Sequence, residues 1–153
     1  SSQTKTLDLP KTGQAVIIDI GEGRDIHPRN KRTVADRLAR HALAKDYGFD
    51  IACESPRFAE AQMRGSEVVI RFNHVSAGGL YAFDVPEVIG FALAGADGQF
   101  HWAQAKIEGM DRVVVSHPDL VSPVAVRYGW AENPVVNLYD RNGLPVTPFH
   151  ADL

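Results

Sequence analysis

The 153-residue sequence contains a single cysteine, Cys53, which excludes an internal disulfide and any zinc site built from several thiolates. No apolar run approaches the roughly 18 residues that a membrane-spanning helix requires. Neither sign of charge dominates, since 16 Lys and Arg face 19 Asp and Glu for a net charge of −3. These absences argue against nucleic-acid and membrane partners. The length suffices for one core, or for one domain plus part of another.

The first 50 residues read as one unit of an α/β layer. The run from Ala15 to Ile20 is short, apolar and rich in β-branched residues, which predicts a buried strand of a parallel sheet. A helix is predicted over 29–47, with Pro28 at its first position and Gly48 as a left-handed cap. One strand, loop and helix cannot cover both faces of a sheet. We therefore predict that residues 1–50 are the C-terminal piece of an α/β domain.

The predicted helix has an apolar face with polar residues mostly off it. Four charged residues lie mostly off that face: Arg32, Asp36, Arg40 and Lys45. The apolar face consists of Val34, Leu38 and Ala42, flanked by Ala35, Ala39 and Leu43. An exposed stripe of this size is rare in monomers, so we expect an upstream segment or another chain to cover it.

From about residue 56 the pattern changes to short strands separated by turns. Six strands are predicted, at 67–72, 79–83, 88–93, 100–107, 112–115 and 124–128. Because no helical pattern interrupts them, residues 51–140 are predicted to form an antiparallel β-sandwich. The proline-rich end, 141–153, is expected to be an ordered tail that packs back on the protein.

His27 lies in the predicted loop between the strand and the helix. A histidine exchanges a proton near neutral pH, and the end of a buried strand in an α/β layer is where such folds bind ligands. Asp25, two residues earlier, would point the same way in an extended loop and orient the ring. The alternatives are a histidine paired with loop backbone and an aspartate that bonds nearby N–H groups. Asp19 is expected to pair with Arg24 or Arg29.

No residue of the chain is predicted to be the matching nucleophile. The serines at 55, 66, 76, 116 and 122 lack a Gly-x-Ser-x-Gly or Gly-Asp-Ser context. The histidines lack metal-ligand spacing, and Gly21-x-Gly23 lacks the rest of a phosphate loop, so no metal and no cofactor is expected. Four aromatic residues suit a sugar platform or a core, and core is favoured: Trp102, Tyr128, Trp130 and Tyr139.

Three sequence blocks carry a family resemblance. They are Ile18-Asp19-Ile20-Gly21 followed by Asp25-Ile26-His27-Pro28-Arg29-Asn30-Lys31, then Pro123-Val124-Ala125-Val126-Arg127-Tyr128-Gly129-Trp130-Ala131-Glu132-Asn133-Pro134, and Asn137-Leu138-Tyr139-Asp140 with Gly143-Leu144-Pro145. Together they resemble the C-terminal portion of sialate O-acetylesterases, carbohydrate esterases of the SGNH-hydrolase superfamily. The similarity runs from near residue 3 to the end of the chain.

The resemblance implies a serine esterase that removes acetyl groups from sugar hydroxyls without a metal or organic cofactor. It implies that His27 is the general base and Asp25 its orienting partner, and that the serine lies in the N-terminal half of the enzyme, upstream or in another chain. An extracytoplasmic location is expected, with any export signal upstream. Two positions depart from the family: Arg24 stands where the acid is usual, and His150 stands where the tail usually has arginine.

Two non-catalytic functions compete with the esterase. The β-sandwich is a candidate carbohydrate-binding module with a merely structural α/β appendage. It is also a candidate interaction module without sugar chemistry.

Overall fold

The first third of the chain is helical or irregular. The computed structural model describes the backbone of residues 2–153 and the side chains of residues 4–153. A short helix α1 (Ser2–Lys5) leads into a 3-10 turn (Thr6–Asp8), and a long coil precedes helix α2 (Lys31–Lys45). The strand predicted at 15–20 is absent, because none of the described residues pairs with this segment to form a ladder.

The remainder is built from ten short strands. They are β1 (Arg57–Arg64), β2 (Glu67–Asn73), β3 (Leu80–Ala82), β4 (Phe91–Ala94), β5 (Phe100–Trp102), β6 (Gln104–Glu108), β7 (Arg112–Ser116), β8 (Ala125–Tyr128), β9 (Leu138–Asp140) and β10 (Phe149–Asp152). Sheet I has the order β1-β2-β7-β6, sheet II the order β10-β8-β4-β5, and β3 pairs with β9. Every paired neighbour is antiparallel.

The two four-stranded sheets share one hydrophobic core. Residues of β2 and β7 from sheet I belong to the same buried cluster as residues of β4, β8 and β10 from sheet II. Side chains of a strand point alternately to the two faces of its sheet. In β2 every second side chain (Val68, Ile70 and Phe72) is therefore buried in this core. The predicted β-rich, antiparallel character is confirmed.

Several strand boundaries differ from the prediction. The segment predicted as one strand at 100–107 divides at Ala103 into β5 of sheet II and β6 of sheet I. β1, β9 and β10 were not predicted. β10 belongs to the proline-rich end, where its residues 149–152 pair with β8.

Helix α2 starts later than predicted. Asn30 is its N-cap, and the Asn30 side chain accepts a hydrogen bond from the Thr33 N–H at 3.1 Å. Pro28 therefore precedes the helix and does not occupy its first position. Gly48 has a φ of +72°, so the left-handed conformation predicted there is confirmed.

The side of α2 that packs against this chain is not its apolar stripe, which is predicted to be covered by an upstream segment or another chain. Arg37 and His41 are buried, whereas Leu38 is 51% exposed. The reason is a ladder of side-chain hydrogen bonds to carbonyls of the preceding coil: Arg37 to Val16 O, His41 to Gln14 O and Lys45 to Thr12 O. Four residues of a helix rise about 6 Å, close to the length of two residues of extended chain. The helix thus satisfies alternate carbonyls that a sheet would otherwise bond.

No described helix has both the length and the apolar character needed to cross a membrane.

Candidate functional site

The structure brings His27 and Asp25 together on an exposed loop before α2. The His27 Nδ1 lies 3.1 Å from Asp25 Oδ1, and the same oxygen accepts the His27 backbone N–H at 2.9 Å. The side chains are 74% and 55% exposed. Both readings of Asp25 from the sequence, ring orientation and a backbone turn, are therefore satisfied by one carboxylate oxygen.

The Asp25 contact determines which ring nitrogen of His27 is available for chemistry. When Asp25 accepts a proton-bearing Nδ1, the lone pair lies on Nε2. Within the described part of the chain, Nε2 has no hydrogen-bond partner. The ring can therefore receive a proton from outside the loop, as a general base does. No serine among residues 4–153 hydrogen-bonds to it.

A buried ion pair holds the coil that precedes the loop. Arg37 donates from Nη1 and Nη2 to the two carboxylate oxygens of Asp19, each at 2.7 Å, and both side chains are 8% exposed. The predicted partners Arg24 and Arg29 are therefore wrong, although the ion-pair role is right. The signal that sequence reasoning missed is the spacing of Arg37, His41 and Lys45 along one helical face.

Tyr139 lies beside this ion pair. Burial, together with the charge of Asp19, raises the pKa of Tyr139 to about 12. The phenol consequently stays neutral at ordinary pH. Because Tyr139 lies in β9, its proximity to Asp19 connects the coil to the β-rich part of the chain.

Two glycines mark where the β-rich part contacts the coil and loop. A Cβ on Gly129, which follows β8, would lie 2.7 Å from the Ile18 Cδ1, and a Cβ on Gly23 would lie 2.8 Å from the Asn133 Nδ2. Both approaches are closer than real Cβ contacts. The segment after β8 therefore packs directly against residues that lead to His27.

Comparisons with known proteins identify a similar solved structure. No family model matches the chain, and no curated protein matches it. A solved structure does. It is described as the crystal structure of a novel carbohydrate acetylesterase from Xanthomonas citri, with 49% sequence identity and a TM-score of 0.92.

The extent of this match differs greatly between the two proteins. It covers 99% of this chain but 35% of the Xanthomonas chain, so this chain spans about a third of the length of that relative. The likeness to carbohydrate esterases inferred from the three sequence blocks is supported by this structure.

A second polar cluster lies where α2 meets the start of the β-rich part. Potential ligand atoms of His41, Cys53 and Glu54 all lie within 4.8 Å of one another. The Glu54 carboxylate, however, is paired with Lys45 at 2.8 Å and with Arg57. The two cationic side chains at the carboxylate repel a metal cation, so these residues fit an ion-pair cluster better than a metal site.

Burial governs the protonation of the histidine in this cluster. Desolvation lowers the pKa of His41, and the charges of Lys45 and Arg57 lower it further, against a raising effect of its bond to Gln14. His41 is thus a neutral donor from Nε2 to Gln14 O at 3.0 Å. This bond gives it a structural role in the ladder.

A cavity in the β-rich part does not contain the loop residues. It has a volume of about 460 Å³ and is lined by Glu87, Val88, residues 103–106, Val114 and Ser116. The side chains of the loop that bears His27 are displayed on the open surface instead.

The aromatic residues divide between core and surface. Tyr128 is fully buried, as predicted, and Tyr139 is partly buried. Trp102 is 70% exposed and Trp130 is 47% exposed, so the expectation that they belong to the core is wrong. Both lie on or beside sheet II.

Proposed function

We propose that the chain is the C-terminal part of a serine-type carbohydrate O-acetylesterase, resembling sialate O-acetylesterases of the SGNH superfamily, and that His27 is its general base. The observation that carries the proposal is the exposed His27 ring, held at Nδ1 by Asp25 with Nε2 unpaired among the side chains of residues 4–153. It occurs in a chain that is 49% identical to part of a carbohydrate acetylesterase.

The proposed reaction uses this geometry. A serine from the N-terminal half attacks the acetyl carbonyl while the His27 Nε2 takes its proton, and Asp25 stabilises the imidazolium. The ring then returns the proton to the sugar oxygen as the C–O bond to the acetyl group breaks. Water, deprotonated by the same nitrogen, hydrolyses the acetyl-serine to acetate and frees the serine.

The exposed surface of the first third supports a covering partner. Large apolar side chains between residues 26 and 51 face solvent, namely Ile26, Leu38, Leu43, Tyr47, Phe49 and Ile51. A patch of this kind marks a surface that another part of a protein covers. The proposed cover is the N-terminal half that carries the serine.

The proposed organisation assigns residues 1–50 to the end of the SGNH-type α/β domain, 51–140 to a β-sandwich and 141–153 to a tail packed on it. In this arrangement two faces of α2 make contacts. The face with Arg37 and His41 contacts the coil within this chain. The face with Leu38 and Leu43 is available to the rest of the α/β domain. The substrate is an acetylated sugar, and the proposed location is extracytoplasmic.

Substitution of the histidine tests the proposal. In the protein that includes the N-terminal half, His27→Ala should lower kcat for acetate release from a per-acetylated methyl glycoside by about 10⁴-fold or more, because such residues act as a unit. His101→Ala, an exposed histidine of β5, is the matched control and should retain full activity. A loss of less than about tenfold with His27→Ala would overturn the assignment of the base.

Chemical labelling locates the nucleophile. A fluorophosphonate that modifies activated serines should label one serine of the longer protein, and peptide mass spectrometry should place it outside residues 1–153. Labelling of the isolated chain at one of its own serines, with acetyl-ester turnover, would contradict the proposal.

A non-catalytic carbohydrate-binding module is the second candidate, favoured by the exposure of Trp102 and Trp130. Unchanged activity of the longer protein after His27→Ala, together with retained sugar binding by this chain, would select it.

A further inference from the structure

A row of side chains crosses the outer face of sheet II. His150 of β10 pairs with Arg127 of β8, Arg127 pairs with Ala92 of β4, and Ala92 pairs with Trp102 of β5. Side chains alternate between the two faces of a strand, and the neighbours Phe91 and Leu93 of Ala92 are in the core. The row therefore faces away from the core.

This row forms a groove because its third member is small. The groove has a volume of about 180 Å³ and is lined by Gly90, Ala92, Phe100, Trp102, Arg127 and Trp130. Gly90 and Ala92 provide its floor, since neither has a side chain long enough to fill the space. The two tryptophans, 70% and 47% exposed, are its aromatic walls.

Arg127 is fixed within the groove but keeps free donors. Its guanidinium carbon lies 3.7 Å from the Phe100 ring centre and 5.5 Å from that of Trp130. Its Nε donates to the His150 Nδ1 at 3.4 Å. Within residues 4–153, its terminal Nη1 and Nη2 groups have no hydrogen-bond partner and no carboxylate beside them. A stacked guanidinium is thus ready to donate to a ligand's oxygens.

We propose that this groove is a carbohydrate-binding subsite, in which Trp102 and Trp130 pack against sugar rings and Arg127 donates hydrogen bonds to their hydroxyls. Aromatic faces are electron-rich and accept the C–H groups of a pyranose, whereas a fixed cationic donor suits its oxygens. A single-stranded nucleic acid also stacks on aromatic rings. The net charge of −3 opposes that polyanion.

The subsite deepens the proposed esterase function and depends on it only for its biological role. The segment after Trp130 leads to Asn133, which contacts Gly23 of the His27 loop. A sugar chain bound in the groove is therefore held by the element that packs against the catalytic loop. We assign the groove to sugar residues of the substrate other than the one that loses its acetyl group.

The chain carries its own reporter for this binding. It has two tryptophans, and both line the groove. Titration with xylohexaose, cellohexaose or sialyllactose should change tryptophan emission saturably, with millimolar or tighter Kd for at least one of them. The neutral and anionic sugars distinguish the two classes of carbohydrate. The absence of a saturable change with all three sugars, or a change with hexathymidylate alone, would overturn the proposal.

Variants test whether the groove itself binds. Trp102→Ala and Trp130→Ala, each read by the remaining tryptophan, should weaken the Kd by about tenfold or more, as truncation of an aromatic anchor does. Trp102→Phe should retain most of the affinity. Tyr47→Ala removes an aromatic side chain that is 74% exposed on the region after α2, and it should bind like the unchanged protein. Equal affinity of both tryptophan-to-alanine variants and the unchanged chain would refute the assignment.

The two proposals fail separately. The titration uses sugars without O-acetyl esters and has no catalytic step, so its result is independent of His27. Loss of acetate release in His27→Ala tests the esterase whether or not the groove binds sugar.

Discussion

Arg37 and Asp19 form a buried bidentate ion pair that joins helix α2 to the coil before the His27 loop, with both N–O distances at 2.7 Å. Arg37 also donates to the carbonyl of Val16 at 2.6 Å. One guanidinium thus fixes two points of a segment that belongs to no strand. Planar geometry with several donors explains why arginine, and not lysine, suits this position.

Removal of Arg37 should destabilise the chain strongly. Arg37→Met leaves the Asp19 carboxylate buried without its counter-charge, and we expect a loss of about 3–5 kcal/mol in the free energy of unfolding by urea. The exposed pair Arg32–Asp36 gives the control, because Arg32→Met should cost less than about 1 kcal/mol. The double variant Asp19→Leu with Arg37→Met should be more stable than Arg37→Met alone. An Arg37→Met effect below about 1 kcal/mol would show that the pair is not a stabilising contact.

Phe149 should be among the most costly core residues to truncate. Its ring contacts Phe58 and Phe72 of sheet I and Phe91 and Tyr128 of sheet II, with centroid distances from 4.8 to 6.2 Å. We expect Phe149→Ala to lower the free energy of unfolding by about 3–5 kcal/mol.

The matched control for Phe149 is Phe49→Ala, at a ring that is 58% exposed. Its effect on the isolated chain should stay within about 0.5 kcal/mol. Similar losses for both variants would mean that the shared core between the sheets does not depend on Phe149.

His41 should make stability depend on pH. Burial holds its pKa in the folded chain below the ordinary 6.5, so the unfolded chain binds the proton first as the pH falls. The free energy of unfolding should therefore decrease from about pH 6.5 downward, by at most about 1.4 kcal/mol per pH unit for one proton, and His41 should contribute nothing to the slope well above pH 7.

Substitution isolates the contribution of this histidine. His41→Gln keeps a donor for Gln14 O but cannot titrate, so the decline between pH 7 and 5 should become shallower than in the unchanged chain. His74, whose pKa burial also lowers, should retain its own share of the slope. An identical slope in His41→Gln and in the unchanged chain would disprove the assignment.

Gly129 should tolerate alanine poorly for two separable reasons. Its φ of +60° disfavours any Cβ, and the added atom would lie 2.7 Å from the Ile18 side chain. Gly143 has a φ of +74° but open space around it, so alanine at this position measures the cost of the backbone conformation without a steric contact. We expect urea unfolding to show a loss of about 1–2 kcal/mol for Gly143→Ala and a larger loss for Gly129→Ala. Ile18→Ala should recover part of the excess; no recovery would place the strain elsewhere.

The local sequence pattern was sufficient to predict a strand where buried and exposed side chains alternate along it. The sequence of β2 alternates with a period of two and folds as predicted, because its neighbours on both sides belong to the same chain. The proximity of Asp25 and His27 also follows from two-residue spacing. β1 was missed because Arg57–Arg64 is an edge strand with few β-branched residues, and its pairing with β2 alone determines its structure.

Helix α2 shows what local pattern leaves open. Its apolar stripe was assigned to a contact with an upstream segment or another chain, but the pattern did not predict that this chain contacts the side that carries Arg37 and His41. A hydrophobic pattern identifies a face that prefers burial but not the polypeptide that buries it. The carbonyls of Val16 and Gln14 lack strand partners and instead accept bonds from the polar face.

The sequence alone therefore determined the β-rich character, the helix and the loop that carries His27, because these follow from the pattern of residue types along neighbouring positions of the chain. Only the tertiary structure decided which face of α2 turns inward, that Asp19 pairs with Arg37, and that Trp102 and Arg127 share an outer groove. Asp19 and Arg37 are 18 positions apart in the chain, and Trp102 and Arg127 are 25 positions apart. No periodicity along the chain encodes how strands and coil are brought together in space.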